Sequence, residues 1–402
     1  MTSTPIQFTI PSESVEACTG CGACAAICPE NSLSMEPNAE GFFYPIMDES
    51  LCNQCGLCAQ ICPVGIKKKT PEGANIGPLV VYAAWNLDET IRCLSSSGGL
   101  FTALAEHILA QGGSVVGAAF DDELVVRHII IETKEELAGL RGSKYVQSEL
   151  SPNLFSKIKN CLQQGKSVLF SGTPCQVAGI RQYLRKPYKG LLCCDIICHG
   201  VPSPLFLQHY IQYNNDNGDE IKGLSFRDKS KGWKAFGMRQ DLKSSKSIYK
   251  DLHSDPYLRG FLQNCSLRES CYACRFANIK REGDITLADF WCVDKKYPEY
   301  DKDDKGTSLI LVNTEKGKDL IEAVWSTLFI GAADLDTAIV GNACLVRPCL
   351  RPAERDTFYE DLKSFHFSKM ILKYRLHRPS RLKVFARRGK RLIKMGLGKI
   401  FF

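Results

Sequence analysis

The chain has 402 residues, 20 of them cysteine, with 44% hydrophobic and 24% charged residues and a formal net charge of +7. That length predicts two or three domains around a sizeable core, and the composition is that of an ordinary globular protein. No apolar run approaches the roughly 20 residues of a membrane span, and the opening MTSTPIQFTIPSESVEAC lacks a basic region followed by an apolar one.

A cytoplasmic setting is therefore expected, in which twenty cysteines mean metal or thiol chemistry rather than disulfides. The positive charge is local. Thirteen Lys and Arg and no Asp or Glu fall between Leu362 and Phe402, leaving 38 basic against 44 acidic residues, a net −6, before them.

The first element is written twice. CTGCGACAAICP from Cys18 and CNQCGLCAQICP from Cys52 agree at eight of twelve positions, including every cysteine and the closing proline. This is the C-x2-C-x2-C-x3-C-P run of two-cluster bacterial ferredoxins, in which three close thiolates hold one cubane and the fourth reaches the other. Gly20, Gly22 and Ala23 are small enough to let the loop approach a cluster. The step from Cys24 to Cys28 is one helical turn, which Pro29 ends. The expected ligand sets are crosswise: Cys18, Cys21, Cys24 and Cys62 for one 4Fe-4S cluster, and Cys52, Cys55, Cys58 and Cys28 for the second. A pair of zinc knuckles competes weakly, because zinc sites seldom pack three thiolates at this spacing with a fourth before proline. GFFYPIMDESL between the runs reads as part of a hairpin.

KKKTPEGANIGP reads as a linker. Beyond it, LVVYAAW (79–85) predicts a strand and GGLFTALAEHILAQG (98–112) a helix with Leu100, Leu104, Ala105 and Ile108 on one face. SVVGAAF and LVVRHIII predict a hairpin turning at Asp121 and Asp122. SPNLFSKIKNCLQQG predicts a helix capped by Ser151, opened by Pro152 and stopped by Gly165. KSVLFSG, TPCQ, VAGIRQYL and GLLCCDIIC then spell strand, turn, helix, strand, a parallel βαβ unit with its turn where such units place ligands. IKGLSFR, DITLADF and TSLILVN predict further strands, and 315–328 a helix. Asp284 and Asp289 bracket one strand and face opposite sides.

Taken together, SSSGGLFTAL, RGSKYVQS, SGTPCQVAGI, CHGVPSP, FRDKSKGW, CYACRFANIKREGDITLADFW and KGTSLILVN resemble the coenzyme F420 (deazaflavin) hydrogenase/dehydrogenase beta subunit family, from about Cys18 to Leu311. The resemblance implies a flavoprotein that binds FAD and exchanges electrons between 4Fe-4S clusters and an organic substrate. Flavin contacts are then expected at Ser97, Gly98 and Gly99, ahead of a helix, and at Lys144, Tyr145, Gln147 and Ser148. The plainer alternative is a helix cap and an ordinary strand.

The four cysteines inside the family-like motifs, Cys175, Cys198, Cys271 and Cys274, are expected to hold a third 4Fe-4S cluster, against the alternative of four reduced thiols. Cys265 and Cys292 are possible substitutes in that set. Cys93, Cys161, Cys193, Cys194, Cys344 and Cys349 read as core or surface thiols, Cys193 and Cys194 pointing to opposite faces. For chemistry, His199 is the candidate proton carrier and Lys280, with Arg281, the candidate support of an anionic flavin. Each has a plain structural alternative.

From Lys369 onward Ile, Leu, Phe and Met alternate with Lys and Arg at near-helical spacing. That pattern predicts peripheral membrane contact at the inner face, or docking to an acidic partner, through 369–402. No nucleic-acid module accompanies the charge. The expected fold class is α+β / α/β. A ferredoxin-like two-cluster domain (1–72) precedes a mixed α/β flavin-binding domain (73–355) and a basic helical tail (356–402). The expected function is an iron-sulfur flavin oxidoreductase served by a ferredoxin-like or other redox partner, alone or as an oligomer. The alternative is a non-catalytic electron-transfer subunit docked on a partner oxidoreductase.

Overall fold

The computed structural model describes residues 15–65, 79–216 and 218–377. The linker at 67–78 lies outside them. Between the two cysteine runs, β1 (Leu33–Pro37) and β2 (Phe43–Met47) form the antiparallel hairpin, with Met35 opposite Pro45. The following strands are β3 (Val80–Asn86), β4 (Ser114–Phe120), β5 (Val126–Ile131), β6 (Val168–Gly172) and β7 (Leu191–Ile196). Then come β8 (Ile221–Asp228), β9 (Gly237–Leu242), β10 (Ser247–Asp251), β11 (Ile285–Asp289), β12 (Ser308–Val312) and β13 (Leu328–Ala332).

The main sheet runs β13-β3-β12-β11-β7-β6-β4-β5, while β8 to β10 form a separate antiparallel trio. β4, β6, β7 and β11 lie parallel, and the outer strands are antiparallel to their neighbours. The fold class is the one the sequence predicts: a ferredoxin-type region followed by a large mixed sheet.

Helices cover both faces of that sheet, which is why β7 is a continuous apolar run rather than an alternating one. Cys193 packs with Phe170, Val177 and Ile180 on one face, and Cys194 with Leu104, Leu169 and Ile285 on the other. The helix Pro152–Gln163 is capped by Ser151, whose hydroxyl accepts from the Leu154 N–H at 3.3 Å. It stops before Gly165 at φ +78°, a conformation glycine adopts without a steric cost. The helix Glu89–Leu94, capped by Asp88, and the strands β9 and β10 have no counterpart in the expectations.

The tail begins later than its charge suggests. Arg355–Ser364 and Phe367–Lys373 are helices, and Phe358, Tyr359, Leu362, Phe367, Met370 and Leu376 enter the same apolar cluster as Phe206, Tyr210 and Phe226. Residues 356–376 therefore belong to the body. Arg355 also donates to Glu40 of the hairpin loop, Nη2 to Oε2 at 2.6 Å. The rest of the expected membrane-contact segment, 378–402, lies outside the described residues. No helix among those described is long and apolar enough to cross a membrane.

Inside that cluster Asp255 caps the helix Pro256–Leu262, accepting from the Leu258 N–H at 2.9 Å and from the Tyr210 hydroxyl at 2.6 Å. Burial pushes its carboxyl up to about 6 from 3.8. The folded chain then holds a proton between those values that the unfolded chain releases. Asp255 thus lowers stability as pH rises through the window, by up to about 1.4 kcal/mol per unit. Asp255→Asn keeps the cap and removes the titration. The parent should lose stability relative to this variant between about pH 4 and pH 6, read as diverging urea midpoints. Parallel midpoints would assign the carboxyl an ordinary value.

Candidate metal centre

The first cysteine run wraps a cavity. Cys18, Cys21, Cys24 and Cys62 line it together with Gly20, Gly22 and Met35. Gly20 sits at φ +68°, and a Cβ there would lie 2.9 Å from the Phe43 carbonyl oxygen. The helix Ala23–Ile27 then carries the chain away from the cavity. Cys62, from the second run, joins the first three, and Cys28, from the first run, is an electrostatic neighbour of Cys58, as Cys55 is. Each run thus places one thiol beside thiols of the other run. The second group is open to solvent: Cys55 is exposed, and Cys52, Cys28 and Cys58 are half-buried.

A third group forms where the βαβ unit ends. Cys175 opens the helix Pro174–Leu184 after β6, and Cys198 follows the neighbouring parallel strand β7, so both reach one edge of the sheet. Thr173 fixes the turn: its N–H donates to Gln176 Oε1 at 2.9 Å and its hydroxyl lies 3.1 Å from Cys175 Sγ. Cys271, in the short helix Glu269–Tyr272, and Cys274, just beyond it, complete a cavity that all four thiols line. Burial raises these thiols, Cys175 to about 11, as it raises Cys21 to about 12. They surrender their protons only to a metal that holds them as thiolates.

Among the described residues no group of three or more His, Cys, Asp or Glu side chains is set to hold a single metal ion. The thiols surround spaces instead, and a cubane has a volume of its own to fill one. The two cavities adjoin. Thr19 borders both, and Cys62 shares one apolar cluster with Cys175, Cys274, Ala178 and Phe276. Gly179 makes the approach possible, since a Cβ there would lie 3.0 Å from Cys21 Cβ.

Two further thiols reach the inner cavity, Cys344 and Cys349, which the sequence reading leaves among ordinary cysteines. Their C-x4-C spacing was the available signal. Cys265 and Cys292 do not line it. Cys265 is buried in the main apolar cluster, its thiol directed at the Gly260 carbonyl. His199 lines the cavity beside Cys198. Its Nε2 lies 2.7 Å from Asn264 Oδ1, and the Asn264 amide nitrogen donates to the Leu350 carbonyl, so Nε2 carries the proton and Nδ1 faces Cys344. Burial holds its pKa below the usual value.

Lys280 is not at this site. It is exposed, with its N–H turned to Asn278 Oδ1, while the adjacent Arg281 lines the cavity.

The flavin motifs meet, but not through the atoms expected. Ser143 donates from N to Ser96 Oγ at 2.7 Å, joining SSSGG to GSKY, and Arg227 and Lys229 donate to the carbonyls of Ser96 and Ser97. Most of the polar groups are already engaged within the protein. The Ser97 hydroxyl donates to Thr307 O, and the Gly98 N–H to Ser308 Oγ. Lys144 Nζ donates to the carbonyls of Gly139 and Arg141. Gln147 Oε1 accepts from the Phe43 N–H, and Ser148 Oγ pairs with His128 at 2.7 Å. Tyr145 has one ring face against Phe261, centroids 4.5 Å apart. Gly98, Lys144 and Ser148 thus have partners within the fold, Gln147 keeps a buried Nε2 without one, and Gly99 at φ +86° caps its helix. Buried Nε of Arg227 is likewise left without a partner in this seam.

Comparison with known proteins agrees with the motifs. Residues 81–154 and 165–338 match the N-terminal and C-terminal family models of the coenzyme F420 hydrogenase/dehydrogenase beta subunit, and residues 17–66 match a 4Fe-4S dicluster domain. The coenzyme F420-dependent sulfite reductase of Methanocaldococcus jannaschii is 24% identical over 329 residues, covering 76% of this chain and 46% of that protein. The chain thus spans about half the length of this curated relative. A solved chain of the F420-reducing NiFe hydrogenase complex from Methanosarcina barkeri aligns with a TM-score of 0.47 at 16% identity, over 68% of this chain and 89% of that one.

Proposed function

Because the chain belongs to the coenzyme F420 hydrogenase/dehydrogenase beta subunit family and carries a 4Fe-4S dicluster domain ahead of it, we propose an iron-sulfur oxidoreductase that links three 4Fe-4S clusters to an organic two-electron substrate through FAD. The observation that carries the reading is the convergence of Cys175, Cys198, Cys271 and Cys274 on one cavity beside the dicluster domain. Clusters exchange single electrons, and FAD, when bound, supplies the conversion to pairs.

The residues of the chain divide the remaining tasks. The exposed Cys55 loop offers a redox partner the outermost thiolates, and the buried inner thiols exclude water from the far end. His199, held by Asn264, is the proton-handling residue we assign, at Nδ1. We place the flavin at the seam of Ser96, Ser143, Arg227 and Lys229, because a buried guanidinium N–H without a partner there calls for a polar ligand.

The visible spectrum of anaerobically purified protein tests this. Flavin bands over the broad iron-sulfur absorption are expected. Clusters without flavin would turn the reading to a non-catalytic electron-transfer subunit. A deazaflavin is the first organic partner to offer, given the name of that relative. Cys175→Ser should lower iron by about four atoms per chain and leave the dicluster domain intact. Unchanged iron would remove the third cluster from the proposal.

A further inference from the structure

Two residues that line the inner cavity carry buried polar atoms that no protein group satisfies, Oγ1 of Thr19 and Nη2 of Arg268. Arg268 is wholly buried. Its Nε donates to the Cys18 carbonyl oxygen at 2.8 Å and its Nη1 to that of Phe43 at 3.0 Å. Its guanidinium carbon lies 3.9 Å from the centre of the Tyr44 ring. One end of the group grips the loop bearing the first thiolate of the dicluster domain; the other carries the unpartnered Nη2, and the charge acts on the Cys175 thiol of the cavity that Arg268 lines.

A buried guanidinium whose partners are two carbonyls and a ring is costly unless an anion compensates it. A cubane held by four thiolates is such an anion in either redox state, and its sulfur atoms accept hydrogen bonds. Thr19, the residue after Cys18, presents its hydroxyl from the same side and borders both cavities.

We propose that Arg268, assisted by Thr19, is a positioning residue shared by two clusters: it holds the Cys18 loop while donating to sulfur in the inner cavity, and so raises the reduction potential there. The proposal rests on the third-cluster reading. The physical cause is direct. Each added electron makes the cluster more negative, so a fixed positive charge and two N–H or O–H donors favour the reduced form more than the oxidised one. Placement of this charge at the inner cavity and not at the solvent-exposed Cys55 group would draw electrons inward from the surface.

The test uses the full chain, purified anaerobically, with iron and acid-labile sulfide counted and each cluster titrated potentiometrically by electron paramagnetic resonance. At the parent's inner midpoint, Arg268→Gln should lower the reduced-to-oxidised ratio about tenfold, equivalent to 59 mV for a one-electron couple. Arg268→Lys, which keeps the charge, should restore most of that shift, and Thr19→Val should give a smaller shift in the same direction. A role limited to packing would move iron content and not the potential.

An unshifted inner midpoint in Arg268→Gln at full iron content overturns the proposal. Should that variant lose iron, Thr19→Val decides, and an unshifted midpoint there overturns it. Failure of the underlying reading looks different: the parent itself would hold about eight irons per chain instead of about twelve.

Discussion

Cys62→Ser is expected to empty the cavity lined by Cys18, Cys21 and Cys24, although the serine stands far from them in the sequence. Cys62 is buried there and supplies the fourth thiol. A hydroxyl in its place is a poorer ligand for iron than a thiolate, so about four irons and four sulfides per chain should be lost. The consequence exceeds the loss of one cluster, because this cavity lies between the exposed Cys55 group and the inner one. Reduction of the organic partner by an external donor should therefore fall by at least about a hundredfold, a barrier increase of about 2.7 kcal/mol. Cys28→Ser should instead remove the cluster nearest solvent. Iron analysis of the two variants, with single-turnover reduction, checks the crosswise arrangement. Retention of full iron in Cys62→Ser would break it.

How much of this was legible in the sequence depends on how far apart the cooperating residues lie. The dicluster domain is written in contiguous letters because its ligand loop is local: three thiols three positions apart and one a helical turn on. The inner site is legible only in part. Cys175 and Cys198 are tied by a βαβ unit whose geometry follows from its pattern, and Cys271 and Cys274 have chelating spacing. Cys344 and Cys349 arrive on a stretch with only a three-residue helical turn at Ala343–Leu345, which has no periodicity to read.

The flavin residues are ambiguous in the sequence for a different reason. A Gly-Ser run ahead of a helix has the same letters whether it cradles phosphate or packs closely. Here a Cβ on Gly98 would lie 2.5 Å from the Ala84 carbonyl, so the glycine serves packing. Lys280 and Arg281 are neighbours in a bend, and only the fold decides which one turns inward. The tail misled because thirteen basic residues obscured the helical spacing of Phe358, Tyr359, Leu362, Phe367 and Met370, which bury one face.

Asp195→Ala should be the most destabilising single change at the edge of the inner cavity. The carboxylate ends β7 at 0% exposure, and its partner Arg281 is 1% exposed. Oδ1 accepts from Arg281 Nη2 at 3.2 Å and from the Thr286 hydroxyl at 2.6 Å; Oδ2 accepts from the N–H groups of Gly283 at 3.0 Å and Glu282 at 3.1 Å. Removing it leaves a buried guanidinium without its countercharge and two backbone donors without acceptors, a loss of about 3–5 kcal/mol.

The loop so released also carries the Cys274 segment, since Arg281 Nη1 donates to the carbonyls of Phe276 and Asn278. Iron in the inner cavity should therefore become labile to chelator in the same variant. Asp195→Asn, which keeps one acceptor and adds a misplaced donor, should fall between the parent and the alanine variant in urea midpoint. The decisive comparison is Asp195→Ala with Arg281→Leu together. If the cost is the stranded charge, the double variant recovers stability relative to Asp195→Ala alone. If the double is weaker still, each residue contributes independently through packing, and the ion pair is not what ties this loop to the strand.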